Sequence, residues 1–180
     1  MEDLSLHILD IAENSITAGA TKIEIRIMED IRGNLLTIEI EDNGKGMEKE
    51  MLKHARDPFY TTRTTREVGL GIPLLAQAAR ESKGTIEINS TKGKGTRISA
   101  SFIYDDIDRK PMGDMGKTMS VLMLSGPDID IYYEHKINDD TYTIDTSEIR
   151  RELDGIPINS PKIISIIQDS LSSWLRIKQI

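Results

Sequence analysis

The sequence predicts an α+β fold, with strands paired as hairpins between amphipathic helices and a smaller α/β stretch at the carboxy-terminal end. Two kinds of pattern lead to it. Lys22 to Met28 and Leu35 to Glu41 alternate apolar and polar residues on either side of Arg32-Gly33-Asn34, and Thr85 to Ser90 and Thr96 to Tyr104 flank Lys92-Gly93-Lys94-Gly95, so each pair reads as a half-buried hairpin. Between and around them, Glu2 to Thr17 carries apolar residues at helical spacing, and Gly69-Leu70-Gly71 opens a helix that runs to about Ser82 with Pro73 in its first turn.

The 180 residues suffice for one well-cored domain, or for one domain with a small addition. An apolar content of 38% beside 29% charged residues is that of an ordinary globular chain. The net charge of −7 and the pI near 5.0 argue against an extended nucleic-acid surface, which needs a basic stripe to displace counterions. With no cysteine, disulfides, thiol catalysis and cysteine-type zinc sites are excluded. No basic and apolar leader opens the sequence and no apolar run approaches the about 20 residues of a membrane span, so the expected address is the cytoplasm, with no membrane contact.

In the first helix Leu4, Ile8, Ile11, Ala12 and Ile16 share a face, Asp3 is a candidate N-cap and Gly19 a left-handed C-cap. Asp10 and Asn14 are one turn apart on another stripe, with His7 read as a solvated residue a turn back. A mid-helix asparagine is a poor helix former and needs a reason to be there. The first hairpin delivers the chain to Asp42-Asn43-Gly44-Lys45-Gly46-Met47. Taken alone Asn43-Gly44 reads as a hairpin turn; a short carboxylate at a strand end beside two glycines also suits recognition of an adenine amine. Met47 to Arg56 forms a short helix stopped by Asp57-Pro58, and Phe59-Tyr60 leads into the polar stretch Thr61 to Val68, read as a lid with Arg63 and Arg66 as phosphate-binding cations. Gly69-Leu70-Gly71 opens the next helix, where amides and the helix dipole can face an anion.

Composition changes at Tyr104. The expected division is a first domain over 1–104, a linker over 105–116 and a small α/β appendage over 117–180. In the appendage Met119 to Leu124, Ile129 to His135 and Thr141 to Ile144 read as strands, Ser147 to Leu153 as a helix capped by Asp145, and a last helix is capped by Ser160 with Pro161 in its first turn. His54 and His135 read as surface or packing residues.

In order and spacing, the Asn14 helix, the strand ending Asp-Asn-Gly-x-Gly-Met, the Pro-Phe-Tyr before the polar stretch, Gly-Leu-Gly and Lys-Gly-Lys-Gly-Thr resemble the GHKL ATPases over roughly residues 4–104. This superfamily comprises histidine kinases, type II topoisomerases, heat-shock chaperones and mismatch-repair ATPases. Glu13 to Ile23 is most similar to the first box of MutL-like ATPases, whereas Asp-Pro-Phe-Tyr-Thr-Thr-Arg and Gly-Leu-Gly-Ile resemble sensor histidine kinases. The resemblance implies a two-layer α/β sandwich of the Bergerat type, a mixed sheet with helices on one face.

It further implies ATP and Mg²⁺ as ligands. Asn14 would supply an amide oxygen to the metal, Asp42 would accept from the adenine amine, and Gly44, Gly46 and Met47 would shape the base site with help from Thr96. Gly69, Leu70 and Gly71 would face the phosphates, Phe59 would pack the root of the lid and Arg63 would reach the phosphates. Asp10 falls where topoisomerase-like relatives place a glutamate base, and is about 1.5 Å shorter. Glu67 stands where kinases usually have a further glycine, and no helical hairpin bearing a phosphoacceptor histidine precedes the first box. The expectation is therefore a free-standing kinase-like regulatory module acting on a histidine or serine of a separate protein, compatible with a homodimer. The alternatives are an ATP-hydrolysing clamp of the MutL kind and a non-catalytic ATP sensor gating a protein interaction.

Overall fold

The structure, a computed structural model, describes residues 3–55 and 70–178. The motif residues Phe59, Arg63, Arg66, Glu67 and Gly69 lie outside the described residues. The elements are α1 (Leu4–Thr17), β1 (Lys22–Asp30), β2 (Leu35–Asp42), α2 (Lys49–His54), α3 (Gly71–Glu81), β3 (Ile86–Thr91), β4 (Gly95–Ile103), α4 (Met115–Ser125), β5 (Asp130–Ile137), β6 (Asp140–Asp145), α5 (Thr146–Glu152) and α6 (Pro161–Lys178).

All six strands form one mixed sheet in the order β3-β4-β2-β1-β5-β6. Both predicted hairpins form, β1 with β2 and β3 with β4, and β4 closes antiparallel against β2. Alternation puts Ile23, Ile25, Ile27, Leu36, Ile38, Ile40, Ile98, Ala100 and Phe102 on the buried face, each no more than 3% exposed. They pack beneath Leu4, Ile8, Ile11 and Ala12 of α1 and Leu75, Ala76 and Ala79 of α3. Fully burying one such aliphatic side chain stabilises the fold by roughly 1.5–3 kcal/mol. The opposite face is polar. Arg97 pairs with Glu39 across β4 and β2, and Arg26 bonds Glu24 while lying over the Tyr132 ring. Alternating hydrophobicity thus fixes a two-layer arrangement, with helices on one face of a mixed sheet, as the resemblance implied.

The carboxy-terminal part does not break away from this sheet. β5 pairs in parallel with β1 from Lys22↔Asp130 to Glu29↔Ile137, and β6 adds antiparallel beyond it. Residues 111 and 112, expected within a linker, run over the first turn of α1, where Leu4 N donates to Pro111 O and Ser5 N to Met112 O.

Three expectations are corrected here. Met119 to Leu124 is helical, within α4, which Asp114 caps by accepting from Lys117 N. This short apolar run is buried on two sides, because α4 packs on both α1 and α6, and such a run carries no period to separate helix from strand. Ser160 does not cap α6 through its side chain, since its Oγ has no hydrogen-bond partner. His7 is 2% exposed rather than solvated, close under the segment that crosses the start of α1.

His135 is a packing residue of a polar kind. Its Nδ1 lies 2.8 Å from Tyr133 Oη and its Nε2 2.6 Å from Glu29 Oε1, with Trp174 against the ring. Tyr133 is fully buried, so its hydroxyl has little access to water. Tyr133→Phe leaves His135 Nδ1 unpaired and is expected to lower the unfolding free energy by about 1–3 kcal/mol, read by urea denaturation. An unchanged midpoint would show that this bond adds nothing.

Candidate functional site

Asp42 ends β2 opposite Thr96 of β4, and both side chains point to the helix-covered face by the alternation that buries Ile40 and Ile98. Above them runs α1. Ser15 Oγ donates to Asp42 Oδ2 at 2.6 Å, and Gly44 N donates to Oδ1 at 2.8 Å. Each carboxylate oxygen keeps a further lone pair for another donor. Ser15 is a site residue that sequence reasoning missed. Its position directly after Asn14 was the only signal.

The Asn43-Gly44 pair is not the hairpin turn it resembles in isolation. Asn43 Oδ1 accepts from Thr21 N and Lys22 N while its Nδ2 donates to Thr21 Oγ1, which fastens the loop to the start of β1. Lys45 N then donates to Ala18 O, and Gly93 N donates to Lys45 O, so the loop is held by the α1 C-terminus on one side and the β3–β4 turn on the other. Met47 N donates to Ser90 Oγ, itself 2.8 Å from Thr96 Oγ1. Gly46 has φ +66°, and a Cβ there would stand 2.1 Å from Thr91 O. Gly44 is similarly confined, since its Cβ would meet Asp42 Oδ1 at 3.0 Å and Ala18 O at 3.1 Å.

These contacts enclose a cleft with about 560 Å³ of empty space, open to solvent. Asn14, Ser15, Asp42, Gly46, Met47 and Thr96 line it, with Ile11, Ile72 and Ile98 among the apolar lining. Gly44 contributes through its bond to Asp42. An apolar slot with one carboxylate and a few hydroxyls at its end suits a flat, mostly apolar ring bearing an amine.

Asn14 is half-buried, and among the described residues its side-chain amide makes no hydrogen bond. Asp10 lies one turn back, outside the cleft lining. Among the described residues its Oδ2 is buried without a partner, and a Cβ on Gly71 would stand 2.2 Å from it. The first turn of α3 therefore closes on Asp10, and Gly71 is required by that approach. Leu70, just before α3, is 55% exposed and is not among the residues that line the cleft. The structure thus brings together Asn14, Asp42, Gly44, Gly46, Met47 and Thr96, and places Asp10 with Gly71 beside them.

Residues 2–105 match the family described as Histidine kinase-, DNA gyrase B-, and HSP90-like ATPase. The chain belongs to this family. Membership implies ATP binding. Among curated relatives, the chain is 33% identical over 97 residues to a putative sensor protein of Shewanella frigidimarina, covering 53% of this chain and 15% of that protein. It is 36% identical over 98 residues to the sensor histidine kinase YclK of Bacillus subtilis, covering 51% of this chain and 20% of the relative. The matched stretch is thus a small part of each relative.

Two solved structures share the fold. The N-terminal domain of a DNA repair protein aligns with TM-score 0.55 at 17% identity, covering 80% of this chain and 52% of that one. The Aquifex aeolicus MutL ATPase domain, complexed with ADP, aligns with TM-score 0.50 at 16% identity, covering 86% of this chain and 68% of that one. Both alignments extend past residue 105, since 80% of the chain exceeds the family match, so the added strands and helices share in the likeness. Among the described residues no helix is long and apolar enough to cross a membrane.

Two outcomes are expected from this geometry. Gly46→Ala forces a left-handed backbone on an L-residue, at about 1–2 kcal/mol, and drives its methyl into Thr91 O, so the variant should melt well below the parent. A thermal melt measures it. His7 has both ring nitrogens buried and unpartnered, and burial holds its pKa below the ordinary 6.5; Lys110 acts in the same direction, against Asp3 and Asp10. The unfolded chain therefore binds the proton more readily, and the stability this residue contributes is present above pH 6.5 and lost as pH falls below it. His7→Leu should flatten that slope between neutral and mildly acidic pH in urea titrations.

Proposed function

We propose that this chain binds ATP with Mg²⁺ in the cleft between α1 and the ends of β2 and β4, and acts as a kinase-like regulatory module on a separate protein. The observation that carries the reading is the Asp42 carboxylate, anchored by Ser15 and Gly44 at the closed end of an apolar slot whose other wall is the Asn14 helix.

In this reading Asp42 accepts from the adenine amine, and Thr96 adds a hydroxyl contact. Gly44 and Gly46 keep side chains away from the base, while Ile72, Ile98 and Met47 pack on its faces. The phosphates run along α1 towards Asn14 and the start of α3. The free Asn14 amide fits a Mg²⁺ ion that takes most of its ligands from phosphate and water, and among the described residues no cluster of three or more His, Cys, Asp or Glu side chains offers a protein cage instead. Bound there through Asn14, the ion would neutralise developing charge on the phosphates. Gly69 and Leu70 are assigned to the phosphates, and Phe59 and Arg63 to the lid, on the family resemblance.

Asp10 is the residue proposed to take a proton from an attacking hydroxyl or water. Its unpartnered buried oxygen supports an enzymatic role over a purely nucleotide-sensing one, because leaving such an oxygen unpaired is costly unless it has work to do. Similarity to sensor histidine kinases favours transfer to a protein acceptor over a hydrolytic clamp.

Asp42→Asn and Asn14→Ala are each expected to weaken ATP binding by roughly tenfold or more, the loss of one charge-assisted or metal contact, measured by calorimetry on folded variants. Unchanged affinity in both would overturn the pocket assignment. Incubation with γ-labelled ATP then separates the mechanisms. Label on an added protein supports the kinase reading, free phosphate alone supports the clamp, and neither supports the sensor. Asp10→Asn should abolish either product while leaving affinity within about twofold.

A further inference from the structure

Among the described residues β6 ends the sheet and pairs only with β5, so its outer edge presents backbone donors and acceptors without a strand partner. Protein chains usually blunt such an edge with lysine or proline. The β6 sequence Asp-Thr-Tyr-Thr-Ile-Asp has neither. Alongside it, α5 and α6 leave a groove with about 800 Å³ of empty space, lined by Tyr142, Ile149, Ile166 and Ile167 and by Glu148 and Glu152.

The floor of this groove is firmly held. Tyr142 Oη donates to Ser170 Oγ at 2.8 Å, and the Tyr142 ring packs on Trp174. Ile166 stands 55% exposed at its wall. Two acidic side chains stand together on its α5 wall. Glu148 and Glu152 are exposed, one turn apart, and make no ion pair among the described residues. Several nearby cations are committed elsewhere, Arg150 to Asp130 and to the carbonyls of Pro127 and Ile129, Arg151 to Ser147 O, and Lys178 to Asp140, while Lys162, one turn before Ile166 on α6, makes no ion pair among the described residues.

We propose that the β6 edge and the α5–α6 groove form a docking site for an extended segment of a partner polypeptide in which apolar residues alternate with lysine or arginine. The segment adds to β6 as a strand, sets apolar side chains against Ile149 and Ile166, and lays its cations beside Glu148 and Glu152. Strand addition takes affinity from main-chain bonds and specificity from alternate side chains, which is the combination this edge offers. The same charges disfavour a second copy of the chain here, since its own Glu148 and Glu152 would approach theirs. The surface lies three strands away from β2, so docking and nucleotide binding can be measured separately.

The test is selection of random displayed peptides of about twelve residues on the whole chain, followed by affinity measurement on individual sequences. Enriched peptides should alternate Lys or Arg with Val, Ile or aromatic residues. Their affinity should fall by roughly tenfold or more in Ile166→Asp and in the double variant Glu148→Lys/Glu152→Lys, with ATP affinity kept in both. Enrichment of acidic peptides, no enrichment, or binding indifferent to both variants would overturn the proposal. So would a homodimer by sedimentation that Ile166→Asp converts to monomer. Unchanged ATP affinity in both Asp42→Asn and Asn14→Ala, with peptide docking still lost in Ile166→Asp, would leave this site standing without the nucleotide reading, and weakened ATP binding in those two variants with no peptide enriched would do the opposite.

Discussion

One short carboxylate contact governs the geometry of the cleft. Asp42 is gripped by Ser15 from the helix layer and by Gly44 from its own loop, so the end of β2 and the last turns of α1 hold one position relative to each other. That grip requires main chain to crowd in from three directions. Gly44 approaches Ala18, Gly46 approaches Thr91, and a Cβ on Gly95 would stand 1.9 Å from Asp42 O. Glycine is needed at these positions because the space a side chain would fill is taken by backbone, and at Gly46 and Gly95 also because φ is positive.

The apolar layer beneath makes such precision available. Ile23, Ile25, Ile38 and Ile40 are buried on adjacent strands and meet α1 and α3 without polar interruption. Close packing of this kind resists small displacements, so side chains at the strand ends inherit the rigidity of the sheet. On that base the α1 stripe from His7 through Asp10 to Asn14 carries polar groups left unsatisfied among the described residues, including both His7 nitrogens and Asp10 Oδ2. An apolar replacement would cost less at each of these positions if packing were the only demand.

The carboxy-terminal part is joined to the same frame by different means. Parallel pairing of β5 with β1 extends the sheet, and α4 lies between α1 and α6. At Gly116 the helices approach so closely that a Cβ would meet Ser172 Oγ at 2.6 Å. The Tyr133–His135–Glu29 chain ties β5 to β1 through polar bonds inside the layer. A stretch of this size would bury little core alone; here it borrows the sheet and the first helix.

Much of this was legible in the chain itself. Strict alternation fixed the β1–β2 and β3–β4 hairpins and which of their faces is buried, because a strand's period of two leaves no choice of side once one face is apolar. Asp3 and Asp145 announced their helices as caps, and both side chains accept backbone N–H groups as expected. The resemblance to the GHKL ATPases implied that Asn14, Asp42, Gly46 and Thr96 share one cleft, and the fold brings them together. The tertiary structure alone decided what local pattern could not carry: that Met119 to Leu124 is a helix buried on two sides, that His7 is covered, that Ser15 rather than solvent completes Asp42, and that β5 joins β1. Each of those outcomes depends on a contact between segments far apart in sequence, and periodicity reports only on neighbours within a few turns of the same segment.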